Sequence, residues 1–203
     1  MNIHIRKATE DDFRPTEHLT REAFWNIYKP GCDEHLVLHN IRKRECHIGE
    51  LDLVAVSENQ TVGHIISTRA VIVDSQRVSH EVLCVGPVSV LPEIQKSGIG
   101  SALIQTSIET AERLGYKAMI LYGNPDYYHR FGFRNAQEYG ITTSDGQNFD
   151  PFMALELLPN GLDGIHGCFF EDEAFRTDPY ELDEFEKQFP LREKIVTDTQ
   201  LKL

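Results

Sequence analysis

Ile3-His4-Ile5-Arg6 alternates apolar and polar positions with the period of two expected of a strand, and Thr9-Glu10-Asp11-Asp12 follows as a helix cap with acids in the first turn. From about Asp11 to Tyr28 the apolar residues Phe13, Leu19, Ala23, Phe24 and Ile27 keep a helical rhythm that stops before Lys29-Pro30-Gly31. A second helix is predicted from Glu34 to Arg44. Leu51–Val56 and Thr61–Ser67 flank the polar stretch Ser57-Glu58-Asn59-Gln60, the pattern of a hairpin whose second strand runs on through Val71-Ile72-Val73. Beyond the polar turn Asp74–Arg77, the stretch Val82–Val90 is rich in β-formers, and its interruption by Gly86-Pro87 predicts a bulge or an unpaired edge.

Ser101–Leu114 carries strong helix formers, with Ile104, Ile108 and Ala111 on one stripe and Gly115 placed to end it. Ala118–Tyr122 reads as a short buried strand, so strand, helix and strand make a crossover unit with parallel neighbours. Further strands are predicted around Gln137–Tyr139, Met153–Glu156 and Gly167–Phe170. From Glu171 the chain is acidic and loosely patterned, and no internal repeat or low-complexity run is found.

The 203 residues suit one well-cored domain with appendages, and 40% hydrophobic with 26% charged residues is an ordinary globular balance. The opening residues lack the apolar stretch of a signal peptide, and no later run reaches the roughly 20 apolar residues that span a bilayer. A cytoplasmic location without membrane association is therefore expected. Cys32, Cys46, Cys84 and Cys168 are scattered and should stay thiols in a reducing compartment. Cys32, His35, His39, Cys46 and His47 could supply zinc ligands, but their spacing is not that of a familiar finger and no metal is expected. A formal charge of −12 argues against nucleic-acid partners and is compatible with cationic substrates, although acidity also serves solubility.

The segment Val88-Ser89-Val90-Leu91-Pro92-Glu93-Ile94-Gln95-Lys96-Ser97-Gly98-Ile99-Gly100-Ser101 places a strand, a glycine-bearing turn and a helix start in succession. Such an arrangement makes an anion site, because the amides of a first helical turn point outward at the positive end of the dipole and glycines let the backbone approach a pyrophosphate. Lys96 could add positive charge at the rim. A tight packing turn would give the same Gly-x-Gly. A nucleotide P-loop is excluded by the missing Gly-x-x-x-x-Gly-Lys-Ser/Thr, and a dinucleotide fold wants three glycines where one pair stands.

On these residues the sequence resembles the GNAT superfamily of N-acetyltransferases, and its small bacterial branch in particular. Gln95-x-x-Gly98-x-Gly100 matches the family's central motif, Val88-x-Val90-x-Pro92 the end of the strand before it, and Tyr128-x-x-x-Gly132-Phe133 a second segment after the next strand. The resemblance covers roughly residues 1–157. It implies an α/β (α+β) fold with a mixed, mostly antiparallel sheet, a central β-α-β acyl-CoA-binding unit and flanking helices, with residues 158–203 as a C-terminal extension packed on that domain or a partly flexible acidic tail. It also implies acetyl-CoA as cosubstrate, with Val88, Ser89 and Val90 on the pantetheine arm and Gln95, Lys96, Ser97, Gly98, Ile99, Gly100 and Ser101 on the pyrophosphate.

Acetyl transfer from a thioester to an amine needs a neutral nucleophile, a stabilised oxyanion and a proton for the departing thiolate. By position in the second motif Tyr128 is the candidate acid, with Tyr127 as fallback and simple packing under the sheet as the competing role. Asn124 is a candidate for the pantetheine or for capping the next helix. Glu81 is the candidate base, through water, beside a solvated surface role, and no carboxylate lies within Leu83–Val90. Trp25, Tyr28 and Glu34 are the expected substrate-side residues. The acceptor is then the primary amine of a small molecule or peptide, and a homodimer stays open. Two other readings remain: a non-catalytic module that binds acyl-CoA, and a protein that docks a partner through the acidic stretch Glu171–Glu186.

Overall fold

The computed structural model describes residues 2–198 and 200, in two compact units through which strands β3 and β4 and helix α3 pass. The first unit takes in residues up to 66, 87–103 and from 173 on. Strand β1 (His4–Lys7) runs antiparallel to β2 (His47–Ser57), with His4 opposite Val56 and Lys7 opposite Leu53. Strand β2 turns into β3 (Gln60–Val73) through Glu58 and Asn59 alone, both left-handed at φ +50 and +62, a two-residue hairpin tighter than the four polar residues suggested.

Helix α1 (Glu10–Phe24) starts where the Thr9 N–H and hydroxyl both donate to Asp12 Oδ2 at 2.8 Å. The Arg6 guanidinium grips the same carboxylate at 2.6 and 2.9 Å, and these bonds hold Asp12 down to about 2. Helix α2 (Glu34–Ile41) buries Val37, Leu38 and Ile41 against Cys46, Ile66 and Ala174. Asp52 is the centre of a second polar knot, accepting from Arg42 Nε at 2.9 Å and Nη2 at 3.1 Å, with His47 Nε2 at 3.1 Å and His64 Nε2 at 2.8 Å. Burial alone would raise its pKa, but these partners outweigh it and drive Asp52 far below the carboxylate range.

Helix α5 (Pro179–Glu186) lies in the stretch expected to be loosely patterned. Asp178 caps it, its Oδ1 accepting from the N–H groups of Tyr180 and Glu181, and Pro179 fills the first helical position, which needs no donor. Phe185, with Phe189 just beyond, closes over Leu36. Arg21, buried in α1, donates Nε and Nη2 to Glu186 at 2.8–3.1 Å and Nη2 to the Pro190 carbonyl at 3.2 Å. His35 Nε2 lies 2.7 Å from Oε1 of that carboxylate, which Arg21 Nε also reaches.

In the second unit, residues 67–86 and 104–172, the strand order is β3, β4 (Ser79–Val90), β5 (Ala118–Tyr122), β8 (Phe152–Glu156) and β6 (Arg134–Asn135). The β4–β5 pairing is parallel, with Leu83 opposite Met119 and Cys84 opposite Ile120, as the predicted crossover requires. Strand β8 is antiparallel to β5 from Ala118–Glu156 to Tyr122–Phe152. Strand β9 (Gly167–Phe170) pairs antiparallel with β3 and parallel with β7 (Ile141–Thr142), extending the order of this unit beyond β3. Helix α3 (Ile99–Arg113) buries Ile104, Ile108 and Ala111 and ends before Gly115, as its pattern indicated.

Three local expectations are corrected, and the first is that α1 ends at Phe24 instead of running to Tyr28. Gln137–Tyr139 is not a strand but part of a 3-10 turn over Ala136–Tyr139, because Asn135 Oδ1 accepts from the Gln137 N–H and Gly140 closes the turn at φ +70. Residues 42–44, expected in the second helix, fall after α2 ends at Ile41.

Candidate active site

Strand β4 delivers its last residues into the glycine turn of the first unit. The Leu91 N–H donates to the Val62 carbonyl at 3.1 Å, a short 3-10 turn spans Pro92–Ile94, and Gln95 Nε2 reaches back to the Val90 carbonyl at 3.2 Å. Ser97 Oγ donates to the Ile94 carbonyl at 2.6 Å. Lys96 and Gly98 are left-handed at φ +62 and +92, turning the chain sharply on either side of Ser97. Gly98 then gives its carbonyl to the Ala102 N–H at 3.0 Å, which opens α3. The amides of Ile99 and Gly100 precede that first helical bond and point out along the axis at its positive end.

A Cβ added at Gly98 would meet nothing within 4 Å, so open space stands before this backbone, while the φ itself favours glycine. Ile99 is 3% exposed and anchors the helix start, whereas Gln95, Lys96, Ser97 and Gly98 are exposed. Outward amides, a cation at the rim and free approach fit a diphosphate. Upstream, Ser89 is buried with its Oγ 3.0 Å from Thr20 Oγ1, so only its backbone is left for a ligand. Val88 and Val90 point to the opposite face and are partly exposed.

Trp25, Tyr28 and Glu34 have different surroundings within the same unit. Trp25 is 4% exposed, its indole N–H donating to the Glu193 carbonyl at 2.9 Å with the Arg21 guanidinium 4.1 Å above the ring. Tyr28 is half exposed, and partial burial with the nearby Glu34 charge pushes its phenol up. Glu34 accepts from the Asp33 N–H at 3.1 Å, and burial raises its pKa. The C-terminal segment that covers Trp25 carries a helix not read from the sequence, though Asp178-Pro179 followed by Leu182 and Phe185 is a readable helix start.

In the second unit, Asn124 Oδ1 accepts from the Asp126 N–H at 3.0 Å and caps α4 (Pro125–Tyr128). The Tyr128 ring lies flush against Gly123, where any Cβ would collide with it, and meets Phe133 edge-on at 5.7 Å and Tyr127 at 5.2 Å. Gly123 thus sets where Tyr128 stands. Tyr127 instead carries the Arg130 guanidinium 4.9 Å over its ring.

Glu81 is exposed near the start of β4, beside Gly115, Tyr116 and Lys117. Because β4 and β5 are parallel, that is the opposite end from Tyr122 and Gly123, about 16 Å away at the rise of a strand. The structure does not bring Glu81 and Tyr128 together. It does bring together aromatic rings that sequence reading passed over: Tyr122 stacks on Phe149 at 5.9 Å and on Phe152 at 5.1 Å, and Phe152 touches Phe169 at 5.9 Å.

Among the described residues no group of three or more His, Cys, Asp or Glu side chains is placed to hold a metal. His35 faces Glu186, and His39 Nδ1 lies 2.7 Å from Glu17 Oε1. The four cysteines are free thiols. No helix of the described residues is long and apolar enough to cross a membrane.

Set beside known proteins, the acetyltransferase (GNAT) domain family matches residues 4–136, well over half of the chain. The chain belongs to the GNAT acetyltransferases. Among curated relatives, YjhQ of Escherichia coli K12, an uncharacterized N-acetyltransferase, is 37% identical over 83 residues, which are 41% of this chain and 45% of that protein. The match thus spans just under half of YjhQ. YhbS of the same strain, also an uncharacterized N-acetyltransferase, is 25% identical over 70% of this chain and 83% of its own. The crystal structure of YhbS from Escherichia coli with CoA superposes with a TM-score of 0.77 at 21% identity, covering 87% of this chain and 93% of that one. A GNAT family acetyltransferase from Brucella melitensis with acetyl-CoA gives 0.71 at 28% identity over 86% and 98%. Family and fold agree with the resemblance read from the two motifs, including the mixed, mostly antiparallel sheet with flanking helices.

Proposed function

We propose that the protein transfers the acetyl group of acetyl-CoA to a primary amine by direct attack. The observation that carries this reading is the start of α3, where open space stands before Gly98 just ahead of the first-turn amides, with exposed Lys96 at the rim. The solved relatives that contain CoA or acetyl-CoA support the same ligand for this loop. Gln95 to Ser101 hold the diphosphate in this reading. The backbone of Val88, Ser89 and Val90 receives the pantetheine arm as an added strand would be received, and Asn124, whose side-chain oxygen is used by its cap, offers its amide nitrogen.

Acetyl-CoA supplies the thioester. The neutral amine attacks the thioester carbon, the carbon–sulfur bond breaks, and the thiolate takes a proton from the Tyr128 hydroxyl. The amine's own proton leaves through water, since Glu81 stands at the far end of the strands and has no part here. Tyr28 and Glu34 border the acceptor, while Trp25, buried and bonded to the Glu193 carbonyl, is not offered to it directly. Residues 1–157 form the catalytic domain, with 158–203 as an extension of it. Four free thiols suit a cytoplasmic location.

A coenzyme A release assay across a panel of amines tests the reaction. Tyr128→Phe is expected to lower kcat by about 100-fold while acetyl-CoA affinity, read by calorimetry, stays within about threefold. An unchanged kcat with chemistry rate-limiting removes Tyr128 from the mechanism. Tight acetyl-CoA binding without turnover of any amine replaces catalysis by a regulatory binding role.

A further inference from the structure

Beyond Pro190 the C-terminal chain has no core of its own. Residues 191–198 are all exposed, the apolar Leu191, Ile195 and Val196 among them, so apolar burial does little to hold this strap on the first unit. What holds it is a set of hydrogen bonds converging on Asn26, the second residue after α1. Asn26 Nδ2 donates to the Glu193 carbonyl at 3.1 Å, the Ile195 N–H donates to Asn26 Oδ1 at 3.1 Å, and Gln200 Nε2 donates to the Asn26 carbonyl at 3.0 Å. The Trp25 indole shares the Glu193 carbonyl. Arg192 and Glu22, both exposed, add an ion pair of small worth.

Asn26 is also the pin of the loop that follows α1. Its N–H donates to the Gly31 carbonyl at 2.9 Å and its Oδ1 accepts from the Gly31 N–H at 2.7 Å, which closes residues 27–30 into a loop with Tyr28 inside it. Asn26 and Gly31 are both left-handed, at φ +62 and +78, a conformation that asparagine tolerates better than most side chains. A Cβ at Gly31 would press on the Lys194 side chain at 3.2 Å, so the strap lies directly over the loop. The Gly31 bonds alone would close the loop. The three remaining bonds of Asn26 go to the strap, and every polar atom of the residue is thereby used.

We infer that Asn26 is a positioning residue for the acceptor: it locks the C-terminal strap over the loop that carries Tyr28, so that the strap orders the acceptor side of the enzyme and leaves the cofactor side alone. This rests on the acetyl transfer proposed above, with Tyr28 bordering the acceptor. Exposed hydrogen bonds without apolar support open locally at little cost in free energy. The strap therefore releases by itself, while α5 stays docked through Phe185 and Phe189.

The test reads both ends of the clasp in the full-length protein. Asn26→Gly keeps the left-handed backbone and removes the side-chain bonds to Gly31, Glu193 and Ile195, whereas Ile195→Pro takes one donor from the strap and leaves the loop bonds in place. Trp25 is the sole tryptophan of the chain, so its fluorescence reports the strap without any substrate. Both variants are expected to shift its emission to the red and to raise its quenching by acrylamide. With the best amine of the panel above, both are expected to raise acceptor KM about fivefold, the worth of about one net hydrogen bond, with kcat and acetyl-CoA affinity within about twofold. A red shift with unchanged acceptor KM leaves the clasp a structural tie and overturns the positioning role, while acetyl transfer stands. Unchanged fluorescence in both variants shows that Asn26 does not hold the strap and overturns the inference at its root. If no amine is acetylated, acetyl transfer has failed and the positioning role falls with it; a Trp25 signal that still responds in both variants marks that failure as one of the reaction and not of the clasp.

Discussion

The glycine turn at Gln95–Ser101 and the C-terminal segment around α5 belong to the same unit, yet they are built on opposite plans. The turn works through backbone: its hydrogen bonds join residues a few positions apart, the side chains of Gln95, Lys96 and Ser97 are exposed, and its key glycine fronts open space. The C-terminal segment works through buried side chains that meet across long stretches of chain. Arg21 reaches Glu186, 165 residues on, and the Trp25 indole reaches the Glu193 carbonyl, 168 residues on. A ligand site needs free donors and room; a seam needs satisfied donors and none. Binding and stability should therefore separate cleanly between the two regions.

The largest effect is expected on the seam. Arg21→Met keeps apolar volume over Trp25 but leaves the largely buried Glu186 carboxylate without its three guanidinium bonds. Breaking one partner of a buried pair costs about 3–5 kcal/mol, which in a chain of this size lowers Tm by roughly 10 °C. Calorimetric unfolding checks it, and acetyl-CoA affinity should stay within about threefold. Adding Glu186→Leu to Arg21→Met sharpens the point, because removing the stranded charge should restore part of the loss. A single Arg21→Met that costs under about 1 kcal/mol would mean the pair is weaker than its burial and geometry imply.

Next comes the turn itself. Gly98→Val puts a β-branched residue at φ +92 and a side chain into the space in front of the α3 amides. Acetyl-CoA affinity should fall by about 30-fold, roughly 2 kcal/mol, while the strain of a side chain at this φ should cost coenzyme-free stability about 1–2 kcal/mol, less than Arg21→Met, because the built Cβ touches nothing. Retained affinity would show that the diphosphate is held elsewhere, and a Tm loss as large as that of Arg21→Met would dissolve the contrast between turn and seam.

The same contrast explains what could be read in advance. Periodicity located α3, β5, β9 and the hairpin, since each is specified by its own residues, and the glycine turn was visible because its partners are its sequence neighbours. Helix α5 had local signals, Asp178-Pro179 and the Leu182–Phe185 spacing, which the surrounding acidic residues masked. Its role could not be read, because Arg21 and Glu186 are paired only by the fold. The place of Glu81 was hard to read for a related reason: a strand's residues are obvious, but which end of it lies near Tyr122 and Gly123 depends on a parallel partner. The Tyr122–Phe149 stack likewise joins a strand end to a loop with no periodic pattern.

The smallest effect concerns the pH response of the seam. His35 is fully buried between Phe185 and Phe189, and burial, partly offset by Glu186, lowers its pKa to about 4, against about 6.5 for the unfolded chain. Below pH 6.5 the unfolded chain therefore takes up a proton that the native state refuses, so stability falls with pH until the folded value is reached, by up to about 1.4 kcal/mol per pH unit. Above pH 6.5 this residue adds no slope. His64 and His18 are also lowered by burial and act in the same window, whereas lowered carboxylates such as Asp33 and Glu17 contribute only further into acid. Urea unfolding of wild type and His35→Gln at pH 7, 6 and 5 isolates the term: the variant should be less pH-sensitive by up to one bound proton, whatever stability it has lost overall. Equal slopes would mean that His35 titrates alike in the folded and unfolded chain, Glu186 offsetting burial in full, and the stability of the seam would then be insensitive to this proton.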